Sequence, residues 1–274
     1  MSQQPPSREQ TARNAAAALA AAASGLADVK ATVGLDGFVD EIIGVVDKRH
    51  NPEAYDSLDT IAAFGKRVSD ASGTSTNFVF GGDHPDHDEY FACYDIMSGG
   101  WGGRFGHDGN DCVNAINGNC RFNPTEVFET RFPLMVENCE LIQDSGGAGQ
   151  WRGGLGYQRT LLIRTVPITG SQCSDRHELK PYGLFGGGEG GNGGTRVMKG
   201  GTEDWSTVRE LNGKMSTSKY ANVVFEPGDR VLLITPGGGG YGHAAERDRE
   251  LVQEDVAEGY VSPDAARVSY GWAG

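Results

Sequence analysis

The sequence has few basic side chains and no apolar run of membrane length. Its 274 residues include 24 Lys and Arg against 37 Asp and Glu, which gives a formal net charge of -13. Such a negative field repels nucleic-acid phosphates and anionic lipids, so neither is an expected partner. The longest apolar run near the start, from Ala15 to Ala23, is alanine apart from Leu19. It is too short to cross a bilayer.

Paired cysteines and a secretory signal are also lacking. The five cysteines are odd in number and well spread, without a C-x-x-C spacing. We therefore expect a reduced, cytoplasmic protein. Cys120 lies next to Arg121, which can lower a thiol pKa, but no histidine is close in sequence to act as its base. We expect most of the cysteines to be buried apolar side chains.

Glycine is scarce in the first third of the chain. Only eight of the 42 glycines precede residue 99, and 34 follow from there onward. We accordingly divide the chain into segments 1–76 and 77–274. We expect an α+β fold with an incomplete α/β unit at the N-terminus, then a β-rich region with glycine turns. Two helices are expected to close it, near Glu246 to Glu258 and from Pro263 to Val268.

Two predicted strands with a charged loop between them open the second segment. Asn77–Gly82 leads into the loop, and Tyr90–Met97 follows with the aromatic and β-branched content of a buried strand. The loop holds His84 and His87 among four carboxylates. Imidazole and carboxylate suit zinc, manganese or iron, so a metal site is one interpretation. A solvated surface loop is the favoured one, because proline and dense like charge favour solvation.

The first segment resembles the N-terminus of the PfkB-type carbohydrate kinases over roughly residues 10 to 76. Residues 31–46 predict two short strands joined at a glycine bend, between two predicted helices. Asp36, in Gly34-Leu35-Asp36-Gly37, matches the family aspartate that binds sugar hydroxyls. The family's C-terminal Gly-x-Gly-Asp segment, with its anion hole and catalytic base, is missing. A turn residue is therefore the favoured interpretation of Asp36, and a sugar kinase is the most distant functional alternative.

The glycine-rich motifs of the second segment are the most specific feature of the sequence. In order, they are Ser98–Asp111, Asn117–Glu129, Asp144–Gly156, Ser174–Arg176, Pro181–Gly187, Pro227–Asp229 and Thr235–Gly242. Together they resemble the C-terminal part of the hydantoinase B/oxoprolinase family, over about residues 77 to 273. Members of that family include components of N-methylhydantoinase, 5-oxoprolinase and the acetone and acetophenone carboxylases.

This resemblance implies hydrolytic opening of a cyclic amide such as hydantoin or 5-oxoproline. In many members ATP drives the reaction and is bound largely by an A-type partner subunit, because a resonance-stabilised amide needs activation at its oxygen. A divalent metal is implied by the Asp/His-rich N-terminal portion of the carboxylase relatives, where this chain has the kinase-like fragment instead. Two main hypotheses follow: a hydrolase component that is active only with partners, or an inactive truncated or fused remnant.

The motifs also supply candidate site residues. Those predicted to act in catalysis are Asp95, Arg104, Asp108, Asp144 and Arg152. Those predicted to bind substrate are Asn117, Asn119, Arg121, Asp175, Arg176 and Asp36, with His84 and His87 as metal ligands.

Structural roles compete with several of these assignments. Arg152 can clamp a carboxylate or phosphate, but an arginine that ties loops together is favoured. Asp144 orients a water or caps a turn, and capping is favoured. Asp175 and Arg176 are expected to form a structural pair. We expect Gly237–Gly240 to pack tightly beside a strand over Arg230–Thr235, since the helix of a phosphate-binding loop is missing after it.

Overall fold

The computed structural model describes residues 75–114 and 121–274. These residues belong to one unit of the chain, Val68–Gly274. The predicted elements of the first 74 residues lie outside the described residues, as do Asp36, Asn117, Asn119 and Cys120.

Nine strands and four short helices form this part of the chain. The strands are β1 (Ser75–Asp83), β2 (Tyr90–Ser98), β3 (Leu134–Leu141), β4 (Tyr157–Ile163), β5 (Ile168–Cys173), β6 (Gly194–Met198), β7 (Trp205–Ser206), β8 (Lys219–Phe225) and β9 (Arg230–Ile234). The helices are α1 (Thr125–Arg131), α2 (Val208–Asn212), α3 (Arg249–Ala257) and α4 (Pro263–Tyr270). The architecture is the strand-rich α+β arrangement that the sequence predicts.

The strands form two antiparallel sheets. One sheet has the order β2-β1-β5-β8 and the other β3-β4-β9-β6-β7. β1 and β2 form a hairpin in which Ser75 lies opposite Ser98 and Asp83 opposite Tyr90. The predicted loop therefore joins them, closed by a 2.9 Å hydrogen bond from the His84 amide to the Glu89 carbonyl. Side chains alternate between the two faces of each strand, which lets one face of each sheet enter a shared core.

The core between the two sheets has an aromatic end and a polar end. Phe78 and Phe80 of β1 pack with Phe91 of β2 and Phe128 of α1. These buried rings form the aromatic end, and the sheets join there in one apolar cluster. At the other end, which borders Phe78 and Phe128, the inward-facing residues are mainly polar: Thr76, Asp95, Tyr157, Arg159, Gln172, Ser174, Thr195, Tyr220 and Thr235, all buried. The polar end matters for function because buried polar groups need specific partners.

The C-terminal helices form a second, smaller cluster. Val252 of α3 and Ala266 and Tyr270 of α4 are buried together with Val261. α3 begins at Arg249, three residues later than predicted, because the Asp248 side chain accepts the Glu250 amide and caps the helix. α4 begins at the predicted proline, with Ser262 as its cap. Within the described residues, no helix has the length and apolar character to cross a membrane.

Four glycine-rich segments cover the polar end and lie against one another backbone to backbone. We call Gly99–Gly103, Ser145–Gly156, Tyr182–Gly193 and Pro236–Gly242 the glycine lattice. A methyl group on Gly238 would lie 1.9 Å from the Trp101 carbonyl oxygen, and one on Gly153 would lie 2.0 Å from the Gly238 carbonyl oxygen. Only glycine permits such an approach.

Backbone hydrogen bonds join the segments of the glycine lattice. The Gly238 amide donates to Gly154 and the Gly147 amide to Gly238, each at 2.8 Å. The predicted tight packing of Gly237–Gly240 is therefore confirmed, but the predicted neighbour is wrong. These glycines lie against the backbones of other lattice segments rather than beside β9.

Candidate functional site

At the polar end of the core, the strands of both sheets lead into the glycine lattice. β2 continues into Gly99, β9 into Pro236, and the lattice returns through Gly156 into β4 and through Gly193 into β6. Residues that are distant in sequence therefore meet where the two layers join. Most of the predicted site residues described here lie at this junction or beside it.

An ion pair between the sheets occupies the polar end. Asp95 of β2 accepts from the Arg159 guanidinium of β4 and, at 3.0 Å, from Asn123 Nδ2. Both side chains of the ion pair are nearly inaccessible, at 1% and 3% exposure. The guanidinium also lies 5.1 Å from the centroid of the Phe128 ring. Asp95, predicted as catalytic, is thus the buried anion that holds the two sheets together. Removing either charge would leave the other buried without a charged partner.

A second buried network ties the glycine lattice to the C-terminal helices. Arg247 donates to both carboxylate oxygens of Asp108 at 2.7 Å, and its Nη2 lies 2.8 Å from Asp255 of α3. Burial opposes the charge of Arg247, yet hydrogen bonding and the charges of Asp108 and Asp255 keep its pKa above the ordinary value. This bidentate geometry is the one that arginine and carboxylate adopt most strongly.

Arg152 completes the network from within the lattice. Its Nε donates to Asp255 at 3.2 Å, its Nη1 lies 3.3 Å from Asp111, and its backbone amide donates to Asp108 at 2.6 Å. The loop-tying role that the sequence favoured for Arg152 matches these contacts. Arg247 could not be found from the sequence because it lies beyond the last glycine motif, with no signal to distinguish it from a surface arginine.

The other predicted catalytic residues lie at turns. Asp144 has a φ of 63° and accepts the Ser262 amide at 2.8 Å, so it fastens the start of α4 to the lattice. Arg104 sits in a turn closed by two 3.0 Å backbone hydrogen bonds with His107. Arg121, predicted to bind substrate, is exposed.

The predicted metal ligands lie in the loop between β1 and β2. The rings of His84 and His87 have centroids 4.5 Å apart, and the Asp86 amide donates to His84 Nδ1 at 3.1 Å. Within residues 75–114 and 121–274, no three His, Cys, Asp or Glu side chains gather as ligands of a metal ion. The metal assignment stays a prediction.

Asp175 and Arg176 lie at a pocket of about 520 Å³. The pocket is formed by the segment after β5, the segment before β8 and α2. Its lining includes His177, Glu178 and Arg209. Asp175 pairs with Lys219, and the Arg176 carbonyl accepts the Gly193 amide at 2.9 Å. We call it the 175–218 pocket.

His177 joins this pocket to the polar end of the core. Its Nε2 lies 2.9 Å from Ser174 Oγ, which accepts from Gln172 Nε2 at 3.1 Å. Gln172 in turn accepts from Thr195 Oγ1 at 2.6 Å. Burial and the nearby charges of Arg196 and Lys219 lower the pKa of His177 to about 4, despite opposing contributions from the Thr217 carbonyl and Asp175. His177 is therefore uncharged at neutral pH.

His177 was absent from the predicted site residues although a signal was present in the sequence. It directly follows the Ser174-Asp175-Arg176 motif, and a histidine next to a motif of hydroxyl and charged groups is a candidate site residue.

The cysteine prediction is correct for one position and wrong for others. Cys93 is buried, and burial raises its pKa. Cys112 is partly buried, and burial raises its pKa to about 12, with Cys139 and Asp111 adding to the rise. Cys139 and Cys173 are exposed. Cys173 pairs with Asn77 on a strand face that turns away from the core, and Cys139 lies opposite Arg159 after a bulge in β3.

The family model described as hydantoinase B/oxoprolinase matches residues 57–244. The chain belongs to this family. Its relatives include the B component of a D-/L-hydantoinase from Pseudomonas sp. (strain NS671), 32% identical over 205 residues, and the 5-oxoprolinase PfmaA of Pestalotiopsis fici, 32% identical over 215 residues. The matches cover 75% and 76% of this chain, but only 33% and 16% of those relatives.

Two solved structures share the hydantoinase B fold described here. An ATP-dependent caprolactamase from Pseudomonas jessenii superposes with a TM-score of 0.64 at 24% identity, covering 80% of this chain and 37% of that one. An acetone carboxylase superposes with a TM-score of 0.61 at 22% identity, covering 75% and 30%. The described part of the chain therefore has the fold of one portion of these larger proteins.

Proposed function

We propose that this chain is a component of an enzyme that hydrolyses a cyclic amide such as hydantoin or 5-oxoproline, together with an ATP-using A-type subunit. The family match over residues 57–244 carries the proposal. The names of the Pseudomonas and Pestalotiopsis relatives support this reaction class. The Pseudomonas relative is named as one subunit of its enzyme, which supports a partner for this chain.

We assign the nucleotide to the partner. A phosphate cradle needs backbone amides that point at the ligand. The amides of Gly237, Gly238 and Gly240 instead donate to lattice carbonyls at 2.8 to 3.2 Å. Phosphoryl transfer on the partner would activate the amide oxygen, which makes the carbonyl carbon a better electrophile. We assign no step to a metal ion, since the described residues do not fit one.

Within the described residues we assign two different tasks. Asp95 and Arg152 are engaged in buried ion pairs, and the partly exposed Asp108 pairs with the buried Arg247. These residues act by holding the sheets, the lattice and the C-terminal helices in place. The partly exposed Arg104 and the exposed Arg121 are free to reach a substrate oxygen at the lattice side. A guanidinium there would stabilise negative charge that develops on the amide oxygen during water attack.

Steady-state ring opening tests the proposal. Hydantoin, N-methylhydantoin and 5-oxoproline are each incubated with the chain, with and without ATP, manganese and an A-type subunit. We expect turnover only when this chain, the A-type subunit and ATP are all present. Arg104→Ala should lower that turnover by about a hundredfold to a thousandfold, the range of one oxyanion-stabilising donor. Arg131→Ala, an exposed arginine on α1, is the matched control and should retain it.

A lack of turnover in every combination, from a chain that unfolds cooperatively, would contradict the proposal. The inactive remnant would then be the better description, and the family would describe ancestry alone.

Three sequence-based predictions remain proposals. We propose that the N-terminal segment, predicted over residues 1–76 and overlapping the family match from residue 57, is similar to the carbohydrate kinases but without kinase activity. We also propose a cytoplasmic location and that the segment of His84 and His87 contributes to metal binding only if further ligands join it. Sugar phosphorylation by the full chain would contradict the first of these.

A further inference from the structure

The 175–218 pocket has features of a site that the mechanism above does not use. Its volume of about 520 Å³ lies within the range of small-molecule sites. Two hydrogen bonds hold the segments of the pocket wall together. The Ser174 amide donates to the Ser218 carbonyl at 2.9 Å, and Lys219 Nζ donates to the Ser174 carbonyl at 3.0 Å. Its opening carries exposed side chains of both signs.

Two exposed ion pairs lie in or beside the pocket. Arg209 Nη2 lies 3.1 Å from Glu178, with 50% and 72% of the two side chains exposed. Lys219 pairs with Asp175, at 54% and 55% exposure. Exposed pairs of this kind contribute little to stability. A ligand with its own positive and negative groups can therefore replace either partner at low cost.

His177 supplies an uncharged wall beside these pairs. Because its charge is suppressed by burial and by Arg196 and Lys219, the histidine adds no further cation to Arg176, Arg209 and Lys219. Leu179 and Met215 lie at the rim with 76% and 95% exposure. They offer apolar contact to an aliphatic chain. The pocket and its surroundings thus combine three cations, Arg176, Arg209 and Lys219, with two carboxylates, hydroxyls and two apolar groups.

We propose that the 175–218 pocket binds a small zwitterion, an α-amino acid, whose carboxylate contacts Arg209 and Lys219 and whose ammonium group contacts Glu178 and Asp175. Arg176 and Arg209 line the pocket and Lys219 lies beside it, together with the carboxylates of Asp175 and Glu178, so a ligand that carries both signs can pair with both sets of groups. An uncharged ring such as hydantoin would leave both ion pairs as they are and gain little.

The proposal deepens the proposed function and, in its link to catalysis, rests on it. Hydrolysis of the amide of 5-oxoproline adds water across the C–N bond, so that the carbonyl carbon becomes a carboxylate and the nitrogen an amine. The product is glutamate, a zwitterion at neutral pH with an additional carboxylate. Of the two substrate classes, a pocket for an α-amino acid favours the 5-oxoproline type.

Isothermal titration calorimetry of the chain alone tests the pocket without ATP, partner or turnover. The probes are L-glutamate, glutarate, which lacks the ammonium group, and hydantoin. We expect glutamate to bind. The affinity for glutarate should be lower by about tenfold, the factor that about 1.4 kcal/mol gives. Hydantoin should give no heat of binding. Arg209→Gln and Glu178→Gln should each weaken glutamate by a similar factor.

Arg267→Gln is the matched control. Arg267 is also exposed and helical, and it pairs with the single carboxylate of Asp264 three residues earlier. The Arg267→Gln variant should bind glutamate with the affinity of the unaltered chain. Three results would each contradict the proposed amino-acid site: equal affinity for glutarate and glutamate, no glutamate binding at millimolar concentration, or an equal loss of affinity in Arg267→Gln. Binding without ring opening would keep the pocket and contradict the proposed function, and ring opening without binding would do the reverse.

Discussion

Replacing Gly238 with alanine should destabilise the whole glycine lattice. The new methyl carbon would lie 1.9 Å from the Trp101 carbonyl oxygen and 2.2 Å from its carbon, whereas real Cβ contacts stay above 3.0 Å. The obstacle is backbone, so no side chain can rotate away. The Trp101 segment must retreat by about 1 Å, which is the difference between those distances.

The cost follows from what that retreat disrupts. The Trp101 carbonyl accepts the Gly154 amide at 2.6 Å, and Gly238 itself holds two further lattice hydrogen bonds at 2.8 Å. Overpacking costs about 1 to 3 kcal/mol, and a buried hydrogen bond left unmade about 1 to 3 kcal/mol more. We therefore expect a loss of about 4 kcal/mol. For a chain of this size that lowers the melting temperature by about 8 to 16 °C.

Thermal unfolding followed by circular dichroism measures the effect, and Gly194→Ala is the control. A methyl group on Gly194, a buried glycine of β6, would meet only Ile234 side-chain carbons at 3.6 and 3.9 Å, which is ordinary contact. Its melting temperature should stay within about 2 °C or rise slightly, because alanine reduces the entropy of the unfolded chain. If Gly238→Ala had the same melting temperature as Gly194→Ala, the close packing of the lattice would be refuted.

Three further perturbations test the polar groups. Asp95→Asn leaves the Arg159 charge buried and should lower the urea-unfolding free energy by about 3 to 5 kcal/mol; a loss below about 1 kcal/mol would contradict the ion pair. Arg247→Lys cannot hold both Asp108 oxygens and should speed proteolysis within α3, whereas unchanged cleavage would argue against the network. The folded pKa of His177, about 4, lies below the unfolded value of about 6.5. The contribution of His177 to the free energy of unfolding is therefore present above pH 6.5 and is lost as the pH falls towards 4. In urea titrations, His177→Gln should reduce the loss of unfolding free energy over this pH range. An identical pH profile in the variant would contradict the lowered pKa.

Local patterns predicted the elements whose signals are local. The aromatic and β-branched content of Tyr90 to Met97 identified β2, because such side chains suit a partly buried strand. The helix predicted from Pro263 begins at that residue in α4, and proline suits the first turn of a helix. The dense glycines after residue 99 indicated close backbone approach, which only glycine allows. The lattice as a class of packing was therefore predictable.

Partners across long sequence separations were not predictable. Asp95 and Arg159 are 64 residues apart, and Asp108 and Arg247 are 139 apart. No spacing or periodicity connects such pairs in one sequence, since they meet only when two sheets or two layers assemble. Candidate catalytic residues chosen from motifs therefore included members of structural ion pairs, while Arg247 was missed.

The most direct test of the proposed function measures phosphate release and ring-opened product in the same sample. The chain, an A-type subunit, ATP and 5-oxoproline are combined, and each component is then omitted in turn. We predict that glutamate and phosphate appear together and that omission of this chain abolishes glutamate formation. Glutamate formed at the same rate without this chain, or no glutamate from a folded chain in any combination, would contradict the proposed function.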